Sequence, residues 1–439
     1  MTNKFSFIYQ NSISFFLLTI CIFIDLSTVD IVNQFNIFSN IGNLKIIFVI
    51  ITCLGIIGTS FLLFQTRSIV FHNKHILNTS IIFSSKSIIC IEILLIGLLT
   101  TIIFQIVYHN NYSIFLSILI VSISYSIGLL FTVLLSIRFI NWYRNEKEFL
   151  ILSNVIAIIL MFILIFFSIL YFLYESIDDF DLVLTSMNMK HYIIHKNTIL
   201  NIFENYYEIF YIATFISIGI ISISLLRTYI QNLNKYVFLF IFSIPLIYFL
   251  VIHLPFTVDW IRSLILINPY LFGTTYTIIF SGTGLFTGFL FFLPFWFFAK
   301  RTQNNEIKKF LTMTSFGLLL FFTINQEPPL QEKVFPPFGI ISASVTGLSI
   351  FLIFFGIYST AIYLSKIKYF TNFSLEKLQN EKFFKPIARS QLEYELNKVI
   401  TNYMRKNPTP SSTEFEMDQT ELNSLLENVK KELSKTKKL

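Results

Sequence analysis

Charge is what this chain has least of. Of its 439 residues, 13% are Asp, Glu, Lys or Arg, against 54% hydrophobic, where a water-soluble domain carries about 25% charged residues. With a mean hydropathy of +0.70, too little polar surface exists to cover a core in water. The composition excludes an ordinary soluble fold and makes the bilayer the solvent. Cysteine is nearly absent: Cys21, Cys53 and Cys90 each sit in an apolar run. They are too dispersed for a metal knuckle or a disulfide framework and read as small hydrophobes. Glycine is scarce too, at 14 residues. No phosphate loop, dinucleotide fingerprint, Ser-His-Asp arrangement or haem motif occurs, so no cofactor is expected.

What is abundant is phenylalanine, 53 residues, alongside Ile, Asn and Lys. That bias is the mark of an AT-rich genome, and the Phe residues are assigned to packing and lipid contact rather than to an aromatic binding box. A helix needs about 20 mostly apolar residues to cross the hydrocarbon. Ten stretches qualify: 8–27, 46–65, 87–107, 114–137, 149–173, 209–228, 237–253, 271–299, 310–325 and 340–364. Segment 8–27 lacks a small-x-small cleavage signature and reads as an uncleaved span. With 8–27 and 310–325 the weakest of the ten, the count is about ten (8–10).

Lys and Arg divide unevenly between alternate loops. One set holds Arg67, Lys74, Lys86, Arg138, Arg144, Lys147, Arg227, Lys235, Lys300, Arg301, Lys308 and Lys309; the other holds Lys45, Lys190, Lys196, Arg262 and Lys333. By the positive-inside rule the richer set is cytoplasmic. The C-terminal tail, itself rich in Lys, falls on the same side. The net charge of +7 is thus an orientation device, and no nucleic-acid partner is expected. The expected fold is an all-α polytopic transmembrane bundle, N-in and C-in, because lipid forces every backbone group into internal hydrogen bonds. Residues 1–365 form the transmembrane domain with one sizeable external loop, 174–208. Residues 366–439 form a helical cytoplasmic tail. The expected location is the cell membrane.

Few residues invite chemistry. Glu92 is the one carboxylate inside a span, and such a group is a functional candidate. It lies near the cytoplasmic end of 87–107, where it could also snorkel. His191 and His195, at i, i+4 and near Asp178 and Asp179, have a spacing compatible with a shared metal; an acidic, solvated loop is the plainer reading, and no metal is expected. Asp25 and Asp30 open the first external loop, where a carboxylate could serve as general base on a lipid-linked substrate. Asn111-Tyr-Ser is a glycosylation sequon too close to the membrane for use. Gly284 and Gly288, and Ala343 and Gly347, are small-xxx-small pairs that mark close helix approach. In the tail, Leu392, Leu396, Val399 and Tyr403 recur on one helical face, a docking stripe for a cytoplasmic protein partner or for self-association. A second amphipathic stretch holds Leu422, Leu425, Leu426, Val429 and Leu433.

Residues Phe335-Pro-Pro-Phe-Gly-Ile-Ile-Ser-Ala-Ser-Val-Thr-Gly-Leu-Ser, then Phe355-Gly-Ile-Tyr-Ser-Thr-Ala-Ile-Tyr-Leu-Ser, resemble a family of multi-span membrane proteins of ammonia-oxidising archaea. In that family a Pro-Pro-Phe-Gly hairpin precedes a last span and a cytoplasmic helical tail. The resemblance covers about residues 327–405; elsewhere only the span pattern is shared. Lys366-Ile-Lys-Tyr-Phe stands where the family carries a more acidic, Arg-containing stretch. The resemblance implies an archaeal lineage and no mechanism. The functional expectation is therefore a membrane scaffold or signalling component whose tail binds a partner. The alternatives are a transporter or channel for a small neutral solute, or a membrane-embedded transferase on lipid-linked substrates; an enzyme is the least expected.

Overall fold

The computed structural model describes residues 15–28, 41–184, 189–229, 269–302, 304–325, 335–370 and 386–395, together with Ser243, Ile247, Tyr248, Val251 and Trp260. Residues 174–205, 227–229, 366–370 and most of 269–281 are described by their backbone. The elements are α1 (Phe15–Thr28), α2 (Ile41–His72), α3 (Thr79–His109), α4 (Ile114–Asn145), α5 (Phe149–Leu184), α6 (Met189–Tyr229), α7 (Pro269–Arg301), α8 (Asn305–Ile324), α9 (Ile340–Phe370) and α10 (386–395). Among the described residues every regular element is a helix. Eight of them, α2 to α9, are long and apolar enough to cross a membrane. The chain is built as a multi-pass membrane protein.

These eight coincide with eight of the ten expected stretches. α1 is a shorter apolar helix, and 237–253 lies almost wholly outside the described residues. Two features add to the sequence reading. The external loop 174–208 is largely helical, because α5 runs on to Leu184 and α6 begins at Met189. That stretch contains neither Gly nor Pro, so nothing in it breaks a helix emerging from the apolar run. The chain also divides into two compact units, the first running through Glu393 and the second being Tyr394–Leu439.

Neighbours in sequence pack as neighbours in space: α2 on α3, α3 on α4, α4 on α5, α5 on α6, then α6 on α7 and α7 on α8. Helix α9 comes last and goes inside. It packs on α8, α4, α3 and α2, and the most apolar window of its Ile340–Ser365 span is 100% buried, against 28% for α3. Small residues permit this. A Cβ on Gly347 would stand 2.7 Å from the carbonyl oxygen of Ser124, and one on Gly288 of α7 would stand 2.7 Å from that of Leu319 on α8. Such backbone-to-backbone approach is what small residues contribute in lipid, where no hydrophobic force draws helices together. Ser124 adds a bridge, its Oγ donating to Ser344 O at 2.8 Å and accepting from Gly347 N at 3.0 Å.

Helix α1 packs against α2, α7 and α8. Phe15 stacks on Phe316 with ring centroids 4.0 Å apart, Phe16 lies edge-on to Phe292, and the Cys21 thiol donates to Ile51 O at 3.3 Å. Phe83, Ile93 and Phe104 of α3 and Ile46, Ile57 and Phe64 of α2 are exposed. They form the apolar outer surface of a bundle that meets lipid.

Candidate functional site

The α2–α3 and α4–α5 turns carry Lys74 and Lys147, and Lys308 lies in the first turn of α8; this basic end holds two hydrogen-bonded clusters. In the first, Asn304 caps α8, its Oδ1 accepting from the backbone N–H of Glu306 at 2.9 Å and of Ile307 at 3.4 Å, satisfying two donors that a helix start leaves open. Its Nδ2 donates to Tyr363 Oη of α9 at 3.2 Å. Glu306 accepts from Lys309 Nζ at 2.8 Å and from Asn73 Nδ2 at 2.6 Å. The cluster thus ties the end of α2 to the start of α8 and the end of α9.

The second cluster seats α10 on α4. Trp142 is fully buried and its indole N–H donates to Gln391 Oε1 at 2.9 Å. Ser390 Oγ donates to Trp142 O at 3.0 Å, and Asn145 Nδ2 donates to Ser390 O at 3.3 Å. Ile387 and Ala388 are buried beside them. Arg389 closes the rim on Glu146 at 2.9 Å, a pair more than half exposed on the arginine side and so of small weight. The Trp142 carbonyl, in the last turn of α4, also accepts from the backbone N–H of Glu146 at 2.9 Å, so Ser390 adds a second donor to it. Leu392 is half-buried, while Leu396, Val399 and Tyr403 lie outside the described residues.

At the opposite end a single carboxylate performs a comparable task. Asp25 is fully buried in α1. Its Oδ1 accepts from Gly339 N–H at 2.9 Å, and its Oδ2 from Ser342 N–H at 3.2 Å and Ser342 Oγ–H at 2.8 Å. The N-terminus of α9 is therefore capped by a residue from another helix, and the positive helix end offsets the cost of burying the carboxylate. Gly339, with φ at 85°, occupies the left-handed region where glycine is favoured. Asp25 is thus inside the bundle rather than on a loop, with both oxygens engaged; Asp30 lies outside the described residues.

Glu92 lies well inside α3, which opens at Thr79, and is buried with 2% exposure. α3 begins two turns earlier than its apolar run, which puts Glu92 ~20 Å from the helix start at ~1.5 Å per residue. Oε1 of Glu92 has no hydrogen-bond partner, and neither side-chain atom of Gln65 on α2 has one. Gly284, Gly288, Ala343 and Gly347 are buried. His191 and His195 fall on α6, and Asp178 and Asp179 on α5, where the backbone alone is described. Among the described residues no group of three or more His, Cys, Asp or Glu could hold a metal.

Sequence reasoning missed Trp142, Gln391 and the capping role of Asp25. The signal for the first was weak but present: a Trp in the last turn of a span, and a polar tail segment carrying Ile387 and Ala388 beside Ser390 and Gln391. The protein matches no family model, no curated protein and no solved structure.

Proposed function

We propose that this is a scaffold or signalling component of the cell membrane, with both termini in the cytoplasm, whose tail beyond residue 395 engages a cytoplasmic protein. In this reading 8–27 and 237–253 complete ten spans, and the lineage is archaeal. One observation carries it: α10 is held on the end of α4 by buried hydrogen bonds through Trp142, Ser390 and Gln391. A tail that served only as a loose extension would need no such seat. The contact gives the segment that follows a defined point of departure from the bundle. The basic loops gathered at that end favour the cytoplasmic side.

Two experiments test the reading. Single cysteines at Ser186 and Ser411, in a background lacking the native three, are expected to label from opposite sides of the membrane. Equal labelling in intact cells would overturn the orientation. Cross-linking in native membranes should recover a cytoplasmic protein with the full chain and lose it on removal of 396–439, with membrane insertion intact; an unchanged set of cross-links would overturn the scaffold. Transport of a small solute is the second reading, favoured by the buried Glu92 and Gln65. The transferase reading rested on Asp25 and Asp30, and the Asp25 oxygens are taken up in capping α9.

A further inference from the structure

A carboxyl group without a partner is the least expected feature inside an apolar bundle. Glu92 lies on the one buried line of α3, formed by Ile81, Ser85, Ile88, Glu92, Leu95, Leu99, Ile102 and Ile106. No hydrogen bond reaches its Oε1. No described cation faces it either. Arg67 of α2 and Lys86 of α3 are exposed. Arg138 of α4 lies over the Tyr358 ring at 4.9 Å, and Lys45 bonds Asn110 at the far end of α3. Asp25 is occupied at the start of α9. A bare carboxylate in such surroundings is far more costly than a neutral acid.

The line is also asymmetric. Beyond Glu92, toward the end away from the basic loops, its buried residues are Leu95, Leu99, Ile102 and Ile106. Toward the basic end they include Ser85, and Gln65 of α2 is buried as well, while Asn73, just beyond the end of α2, is engaged by Glu306 of α8. Among the described residues of α2 and α3, the buried polar atoms without a partner belong to Gln65 and Glu92 alone. Gln65 lies ~10 Å from the end of α2 at ~1.5 Å per residue, between that end and the level of Glu92.

We infer that Glu92 is an intramembrane proton-binding site, held as the neutral acid and loaded from the basic end past Gln65. The inference is independent of the scaffold reading, since it concerns α2 and α3 and not the tail.

Infrared difference spectroscopy on the full chain in proteoliposomes tests it, comparing the wild type with Glu92→Gln. The expected result is loss, in the variant, of the carbonyl stretch of one protonated carboxylic acid. In the wild type that band should shift on transfer to deuterated buffer, and Gln65→Leu should slow the shift several-fold. The melting temperature of Glu92→Gln should match the wild type, because glutamine has the shape of the neutral acid. If no protonated-acid band is lost, the group is ionised and the inference fails. If the band is present but deaf to deuterium, the proton is sealed in and the site is not loaded. If Glu92→Gln does not fold, or melts well below the wild type, the carboxylate charge is structural and the inference is again overturned. A deuterium shift unaffected by Gln65→Leu would overturn the route through Gln65.

Discussion

Helices α3 and α9 are each 31 residues long and similarly apolar, yet one is the most peripheral span and the other the most enclosed. α3 buries a single stripe and turns Phe83, Ile93 and Phe104 outward. α9 buries its whole circumference. Both contain small residues, so composition alone does not separate them. The difference is where those residues point. Gly97, Thr100 and Thr101 of α3 are exposed, and a Cβ on Gly97 would meet nothing within 4 Å. On α9, Gly347 meets the α4 backbone and Ser342 meets Asp25. In lipid, apolarity places a helix in the membrane but does not say which side faces protein, because lipid and protein interiors are equally apolar.

The sharpest way to break this comparison is a matched pair of substitutions. Gly347→Leu on α9 should destabilise by at least the ~1–3 kcal/mol typical of overpacking, because the new side chain meets a backbone carbonyl that cannot rotate away. Gly97→Leu on α3 should stay within about 0.5 kcal/mol of the wild type, as exposed positions do. Thermal unfolding in detergent measures both; equal effects would mean that α9 is not the enclosed helix. Next in size is Asp25→Ala, which leaves two backbone N–H groups of α9 unpaired in the interior and should cost about 1–3 kcal/mol. Asp25→Asn should cost less, since one oxygen remains to accept.

A smaller effect is expected at the seat of α10. Trp142→Phe keeps the buried ring but removes the indole hydrogen bond to Gln391, a loss of about 1 kcal/mol. Hydrogen exchange of the amides in 386–391 should accelerate while those of α9 stay protected. Acceleration in both would mean that seat and bundle open as one unit. The smallest effect belongs to Ile93→Ala on the outward face of α3, expected within about 0.5 kcal/mol.

Much of the fold was legible because spans in lipid are set by run length and apolarity, and eight of the ten stretches named from sequence are helices of spanning length. The helical course of 174–208 was hidden because acidic and polar residues resemble a loop by hydropathy, although the segment lacks a helix breaker. The seat of α10 was hidden for another reason. Trp142 and Gln391 are far apart in sequence, and neither forms part of a periodic pattern. Asp25 could be recognised as notable, as the rare acid in an apolar run, but its partners on α9 were not readable from any local spacing. Glu92 was legible as an intramembrane acid; its burial was not, because the start of α3 carries serines that blur the helix boundary.

The position of α9 has a consequence for biogenesis. Membrane proteins enter the bilayer as they are translated, and α9 is the last of the eight long helices. At about 5–20 residues per second, roughly 15 to 60 seconds separate the synthesis of α2 from that of α9. For that interval α2, α3 and α4 stand in lipid without the partner they share, with Asp25 and Ser124 facing no helix that can receive them. A ribosome that stalls before residue 340 would therefore leave a nascent chain with its spans inserted and its interior missing, an orphan of the kind that membrane proteases clear. The interior of this protein is the part of it most exposed to interrupted synthesis.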